Sequence, residues 1–552
     1  MFKKYYTFII TLLFITHYEE TRAGKDEMDR DEDIAIIGSG SGAFAAAIHA
    51  VKKGACVTMI ESGTVGGTCV NVGCVPSKIF IRAGHLAHLQ KHHPFEGLAL
   101  HEPVIDSARI LAQQQARVAE LRQKKYTDIL AATPEIHFIQ GSASFLDPTT
   151  LLVQKEGEED RQVRARKILV ATGSHPYIPE IPGLSTSPYW TSTDALQSGE
   201  IPPRLIVLGG AVVALELAQA FSHFGSKVTL LARSTLLSRE DRSVGEELQA
   251  ILEGEGLRIL THTTPVSTTY DGSKFTLELG EGKSPIEGER LLVATGRGAT
   301  TAGLSLEVAG IEMDAAGRIM IDPYLRTSSP HIYAVGDCTT LPQFVYVAAA
   351  AGTRAAENML GGHVALDLSI LPKVVFTTPQ VGTIGLTEEE VRERGIDYEA
   401  RTLPMSAVPR ALANFDDSGM VKLIAAKGTR QILGAHIIAE NAGDMIQTVA
   451  IAMKGRMTTR DLSATLFPYL TAVEGLKLAA QIFSTDVSKL SCCADAGEFE
   501  EESHSVVSSS RHTTMSDASG FHHDCCSTDI ENTAVTVKRS LSRSSKSPED
   551  EI

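Results

Sequence analysis

Short apolar runs of three to five residues, several closed by glycine, recur along the chain and set its architecture. Ile34-Ala35-Ile36-Ile37 contains no polar position, which predicts a strand buried on both faces, as in a parallel sheet. Gly38-Ser39-Gly40-Ser41-Gly42-Ala43 follows at once, an alanine-rich stretch to about Lys53 predicts a helix, and Ala55 to Ile60 predicts the next strand, ending at Glu61. The pattern restarts at Leu205-Ile206-Val207-Leu208, with Gly209-Gly210-Ala211, a helix carrying Glu216, and a strand from Lys227 to Leu231. Ile168-Leu169-Val170 and Leu291-Leu292-Val293 each lead into Ala-Thr-Gly, at Gly173 and Gly296. This repetition predicts an α/β protein with two duplicated Rossmann-like nucleotide-binding units, one nested within the other. Ile332-Tyr333-Ala334-Val335 is another buried strand, leading to Gly336-Asp337. From about Leu371, strand-like Val374 to Pro379 and a helix introduced by Thr387-Glu388-Glu389-Glu390 predict a separate α+β unit, closed by a helix from about Ala472 to Phe483.

The two ends read differently. Lys3 and Lys4 precede the apolar run Thr7 to Thr16, which has signal-peptide proportions but is short for a bilayer span and lacks a good cleavage site. It is read as an extension, with secretion as the alternative. After Cys493 the chain turns to Ser, Thr, Asp, Glu and His, which predicts a disordered tail. The divisions expected are an N-terminal extension (1–32), a first unit in two parts (33–180 and 301–370), a second unit (181–300), the α+β unit (371–490), and an arm with tail (491–552). A net charge of −16 argues against nucleic acid or an anionic membrane as the main partner and favours a small substrate. Eight cysteines, unevenly placed, do not make a secreted disulfide framework, so a reducing, cytoplasmic setting is expected. Cys56 and Cys338 sit in apolar strand contexts and are expected in the core.

Strand, glycine turn, helix, strand and acid together form a dinucleotide fingerprint. Gly38 allows the tight turn, Gly40 lets a pyrophosphate approach the backbone, Ala43 keeps helix and strand close, and Glu61 accepts from a ribose hydroxyl. In the second unit Ala211 takes a glycine position, so the fingerprint is degraded, although the helix N-terminus still suits a phosphate. Its strand leads to Arg233, with Arg239 soon after, where NAD-binding units place a carboxylate. Guanidinium groups there pair with a 2′-phosphate, favouring NADPH; two solvated surface arginines are the alternative.

Gly66-Gly67-Thr68-Cys69-Val70-Asn71-Val72-Gly73-Cys74 places two cysteines at the mouth of a helix. A helix N-terminus stabilises a thiolate, so Cys74, nearer the helix proper, is expected to carry the more acidic thiol of a redox pair. A structural disulfide or a zinc half-site is the alternative. Two dinucleotide units and a dithiol together define a flavin-dependent reductase of the disulfide type.

From about Asp33 to Cys493 these motifs resemble the class I pyridine nucleotide-disulfide oxidoreductases, FAD-containing homodimers. Phe467-Pro468-Tyr469-Leu470-Thr471 through Leu478, with the terminal Leu490-Ser491-Cys492-Cys493, resemble the mercuric reductase branch. Related disulfide reductases carry His-Pro-Thr where this chain has Tyr469-Leu470-Thr471, and their imidazole protonates a departing thiol, which reduction of a metal ion does not require. The resemblance implies an electron path from NADPH through FAD to Cys69 and Cys74, with Cys74 against the flavin as charge-transfer thiolate and Cys69 as its exposed partner. It implies FAD contacts along Gly67-Thr68 and at Gly336-Asp337, Lys78 near the flavin, and Glu216 paired with Lys78; an ordinary helix-surface lysine is the alternative for Lys78. It assigns Cys492 and Cys493 to a mobile arm that takes mercury(II) from small thiols and passes it to Cys69 and Cys74 in the partner subunit. Tyr126 and Tyr469 match two tyrosines near the metal, with buried phenols as the alternative.

Two departures stand out. The family's N-terminal metal-binding domain with Cys-x-x-Cys is not seen, and the chain continues past Cys493. His522-His523-Asp524-Cys525-Cys526 is read as tail sequence, with an added metal trap as the alternative. Competing functions are a disulfide reductase on the same scaffold, a thioredoxin reductase-like enzyme using Cys492 and Cys493, and a metal-sequestering protein without turnover. The last needs neither nucleotide fingerprints nor Lys78.

Overall fold

Residues 32–487 are described by the structure, a computed structural model. The first apolar run forms β1 (Glu32–Ile37), followed by α1 (Ser41–Lys52) and β2 (Val57–Glu61). Two helices then carry the cysteine motif, α2 (Gly67–Asn71) and α3 (Cys74–Lys91). The sheet is completed by β3 (Ile136–Gln140), β4 (Ser142–Asp147), β5 (Thr150–Gln154) and β6 (Arg161–Val170) in the order β3-β2-β1-β6-β5-β4. Pairing is parallel from β3 through β6 and antiparallel for β4 and β5. Ile34, Ala35 and Ile36 are wholly buried, as a run without alternation requires of a central parallel strand.

The second unit repeats the plan with β7 (Arg204–Leu208), α4 (Val212–His223), β8 (Lys227–Leu231), β9 (Arg258–Leu260) and β10 (Arg290–Val293), a parallel sheet ordered β9-β8-β7-β10. The chain then returns to the first sheet: β11 (Ile332–Ala334) pairs parallel with β6, which is the nesting the repeated motif implies. The C-terminal unit is a five-stranded antiparallel sheet built from strands at Lys373–Val375, Gln380–Gly385, Tyr398–Pro404, Met420–Ala426 and Ile432–Ala439. Thr387 caps its first helix (Glu388–Glu393) with a full capping box, and the closing helix spans Glu474–Gln481.

One expected core residue is not in the core. Cys338 is fully buried, but Cys56 is exposed, because it precedes the first paired residue of β2 and only its backbone is held, its N–H donating to Asp33 at 3.0 Å. Among the described residues no helix is long and apolar enough to cross a membrane. The expectations for residues 1–31, the Cys492/Cys493 arm and the tail, including Cys525 and Cys526, lie outside the described residues.

Candidate active site

Both nucleotide motifs and the dithiol open onto one cleft of about 2800 Å³. The first glycine loop is shaped by backbone contacts. Gly38 has φ +108°, and a β-carbon there would lie 2.4 Å from the Ala171 carbonyl oxygen. At Gly40 a β-carbon meets no protein atom within 4 Å; it would stand in the cleft instead, in the space a bound pyrophosphate requires. Gly67 packs against this loop, where a β-carbon would come within 2.8 Å of Gly40 Cα. Ala43, in the first turn of α1, is fully buried. One oxygen of Glu61 accepts from the Ser39 N–H (2.9 Å) and hydroxyl (2.7 Å), and the other from the Gly63 N–H (2.6 Å), so the carboxylate is fixed at the cleft edge. These features fit a dinucleotide.

Cys69 lies on α2 and Cys74 is the first residue of α3, as the helix-mouth reading expects. Cys74, exposed, and Cys69, half-buried, both line the cleft, with Cys74 at the helix N-terminus. Their titrations are driven apart. The hydrogen bond between them holds the proton on Cys69 and raises its pKa, with burial adding to the rise; the same bond, helped by Lys78, brings Cys74 down to about 7 against its own burial.

Lys78, one turn along α3, donates to Glu216 Oε2 at 2.7 Å. Glu216, on α4 in the second unit, is only 4% exposed, and its other oxygen accepts from the Phe376 N–H at 2.8 Å. The Lys78 ammonium also sits 4.6 Å from the centroid of the Phe376 ring. One carboxylate thus joins three parts of the chain behind the dithiol.

Gly173 and Gly296 both take positive φ at the cleft wall, as does Gly336. Asp337 accepts from the Ser174 hydroxyl at 2.7 Å, and Arg297 donates to the same hydroxyl oxygen (2.7 Å) and to the Ser174 carbonyl (2.6 Å). Gly209 has φ +136°, and a β-carbon there would lie 2.2 Å from the Ala294 carbonyl oxygen; Ala211 caps α4. Arg233 and Arg239, exposed after β8, line the same cleft, and neither forms an ion pair among the described residues. Tyr126 packs edge-on against Phe44 at 4.8 Å; burial raises its phenol pKa, and the nearby cysteines raise it further, against a hydrogen bond with Ser41. Tyr469 is not brought to the dithiol of its own chain. It is 60% exposed on the C-terminal unit and absent from the cleft lining.

The family model "pyridine nucleotide-disulphide oxidoreductase" matches residues 32–352, and that family's dimerisation domain matches 371–480. The chain belongs to the pyridine nucleotide-disulphide oxidoreductases. Among its relatives are proteins named mercuric reductase from Acidithiobacillus ferrooxidans (53% identical over 84% of this chain and 84% of the relative) and Shigella flexneri (54%, covering 84% and 82%). A mercuric reductase from Streptomyces lividans is 46% identical over 84% of this chain and 98% of its own. Of solved structures, the Cu(II) complex of the HOCl-induced flavoprotein disulfide reductase RclA of Escherichia coli superposes with a TM-score of 0.75 at 30% identity, over 82% of this chain and 99% of that one. FAD and NADPH are the cofactors of this family, and the dimerisation domain supports a homodimer.

Three residues that the sequence reading passed over help build the site. Asn71 staples the cysteine loop, donating to the Val65 and Gly67 carbonyls (2.9 Å each) and accepting from Arg122 (3.0 Å). Arg297 and Phe376 were visible only as neighbours of motifs. Arg297 and Phe376 carry no local signature, since each acts through a partner distant in sequence.

Proposed function

We propose that the chain reduces mercury(II) to elemental mercury with electrons from NADPH, through Cys69 and Cys74. The observation that carries this is the cysteine pair at the cleft, whose thiols titrate far apart beside the Lys78–Glu216 pair. When bound, NADPH supplies hydride and FAD relays its two electrons to the dithiol site. Gly38, Gly40, Ala43, Glu61, Gly67, Thr68, Gly173, Gly336 and Asp337 would hold FAD; Gly209, Ala211, Gly296, Arg233 and Arg239 would hold NADPH, the arginines on its 2′-phosphate. Lys78, held in place by Glu216, would stand beside the bound flavin.

Mercury(II) is a soft cation and binds best to thiolates. Cys74 is half ionised near neutral pH and captures it first, and Cys69 gives up its proton as the metal replaces it. Cys492 and Cys493 of the partner subunit deliver the ion from small-thiol complexes by ligand exchange, so it remains thiolate-bound throughout. Tyr126 and Tyr469, the latter from the partner subunit, flank the metal. The balance is Hg²⁺ + NADPH → Hg⁰ + NADP⁺ + H⁺, and elemental mercury, with little affinity for thiolate, leaves. No departing thiol needs a proton, which suits Tyr469 where disulfide reductases carry histidine. Demand for NADPH favours a cytoplasmic setting.

The test is NADPH oxidation by purified, flavin-loaded protein with mercury(II) and excess small thiol, beside the Cys492→Ala/Cys493→Ala double variant. Mercury-dependent oxidation that collapses in the variant is expected. Activity on a small disulfide without mercury-dependent oxidation would overturn the metal assignment.

A further inference from the structure

Away from the cleft, α3 carries His85 and His88, and His92 follows directly after it; the three are spaced at three and four residues. Counted along the helix, His88 lies about 21 Å from Cys74. The row meets His223 at the C-terminus of α4 and Glu255, which follows the helix Arg242–Gly254. His88 packs against His223 with ring centroids 4.2 Å apart and the planes tilted by 31°, and stacks on His92 at 4.3 Å; His85 is 6.1 Å from His223. His223 is buried, and its Nε2 lies 3.3 Å from Glu255 Oε2, which also accepts from Gln219 at 2.8 Å.

We propose that His88, His223 and Glu255 form a binding site for a borderline divalent first-row ion, zinc being the type case, which pins α3 to α4 at the end remote from the dithiol. Their ligand atoms all lie within 4.8 Å of one another, and a four-coordinate zinc takes three such protein ligands with water in the fourth position. Two imidazoles and a carboxylate are the ligands such an ion takes, whereas mercury prefers sulfur, so this site and the substrate's are chemically distinct. Imidazoles packed in this way gain little from each other, and among the described residues neither ring nitrogen of His88 makes a hydrogen bond. His85 Nδ1, alongside, is buried without a partner, so a polar site here is under-satisfied. Gln219, bonded to Glu255, supplies the outer hydrogen bond that orients a carboxylate ligand.

The test uses full-length, flavin-loaded protein whose thiols are blocked with iodoacetamide, so that cysteines cannot bind the probe. Zinc chloride is added, the bound metal counted by equilibrium dialysis, and the shell read by zinc K-edge absorption. One zinc per chain is expected, with nitrogen and oxygen neighbours at about 2.0 Å and no sulfur, and a raised melting temperature. His88→Gln and Glu255→Gln should each weaken binding at least tenfold while keeping flavin content and, in unblocked protein, mercury-dependent NADPH oxidation. Glu255→Gln retains hydrogen-bonding capacity toward Gln219 and His223, which guards against a folding failure. No retained zinc, or unchanged affinity in both variants, would overturn the site.

Discussion

Replacing Cys69 by alanine removes the group that does most to ionise Cys74. The Cys69 hydrogen bond is the first cause of the low Cys74 pKa, ahead of the Lys78 charge, while burial pulls the other way. Without it, Cys74 titrates upward from about 7 toward the ordinary thiol value of about 8.5. At pH 7 the thiolate fraction then falls from about one half to about 3%, roughly 16-fold. A more basic thiolate is also more nucleophilic, by about fivefold over that interval. Alkylation of Cys74 by iodoacetamide should therefore slow only about threefold at pH 7 and run up to about fivefold faster at pH 10. The decisive readout is the midpoint of the rate against pH, followed by mass spectrometry of the Cys74 peptide so that other cysteines do not interfere. In reduced wild-type protein reactivity rises through a midpoint near 7; in Cys69→Ala the midpoint moves up by about one unit or more. An unchanged midpoint would refute the reasoning and leave the helix N-terminus and Lys78 as the agents.

Other expectations concern the frame. Gly38→Ala should destabilise the protein by about 2–4 kcal/mol, from positive φ and backbone overlap, whereas Gly40→Val should leave the apoprotein's melting temperature nearly unchanged and release flavin, as gel filtration with absorbance would show. Arg233→Gln with Arg239→Gln should raise KM for NADPH by about 100-fold or more and leave KM for NADH nearly unchanged, since each charge-assisted bond contributes about 1.5–3 kcal/mol. Lys422→Met should cost about 3–5 kcal/mol in urea unfolding, because Asp241, 2% exposed and 2.8 Å from Lys422, is left without its main partner. Although its burial works the other way, hydrogen bonds from Lys422 and Ser243 hold Asp241 well below the usual carboxylate range. The stability it contributes is therefore full above about pH 4, the unfolded value, and lost as pH falls further toward its folded pKa, a dependence Lys422→Met should flatten.

What the sequence disclosed follows the range of the interactions concerned. Unbroken apolar runs such as Ile34 to Ile37 fix buried parallel strands because no other setting hides both faces, and the repeated Ala-Thr-Gly ends marked the nesting that β11 completes on β6. Cys56 misled because an apolar neighbourhood does not say where pairing begins, and pairing begins one residue later. Lys78 and Glu216 are 138 residues apart, so their pairing followed from resemblance and not from spacing. The Phe376 N–H on Glu216 had no signal, since any residue can donate its backbone.

The double engagement of Glu216 also fixes when the site can exist. Its two oxygens answer to Lys78, far upstream, and to Phe376, 160 residues downstream. A chain emerging from the ribosome can fold its first sheet and its cysteine loop early, yet the lysine beside the dithiol has no anchored counter-ion until the start of the C-terminal sheet has been made and docked. Reactive thiols are thereby given their tuned environment late in synthesis, and a truncated product keeps the cysteines without the apparatus that sets their chemistry.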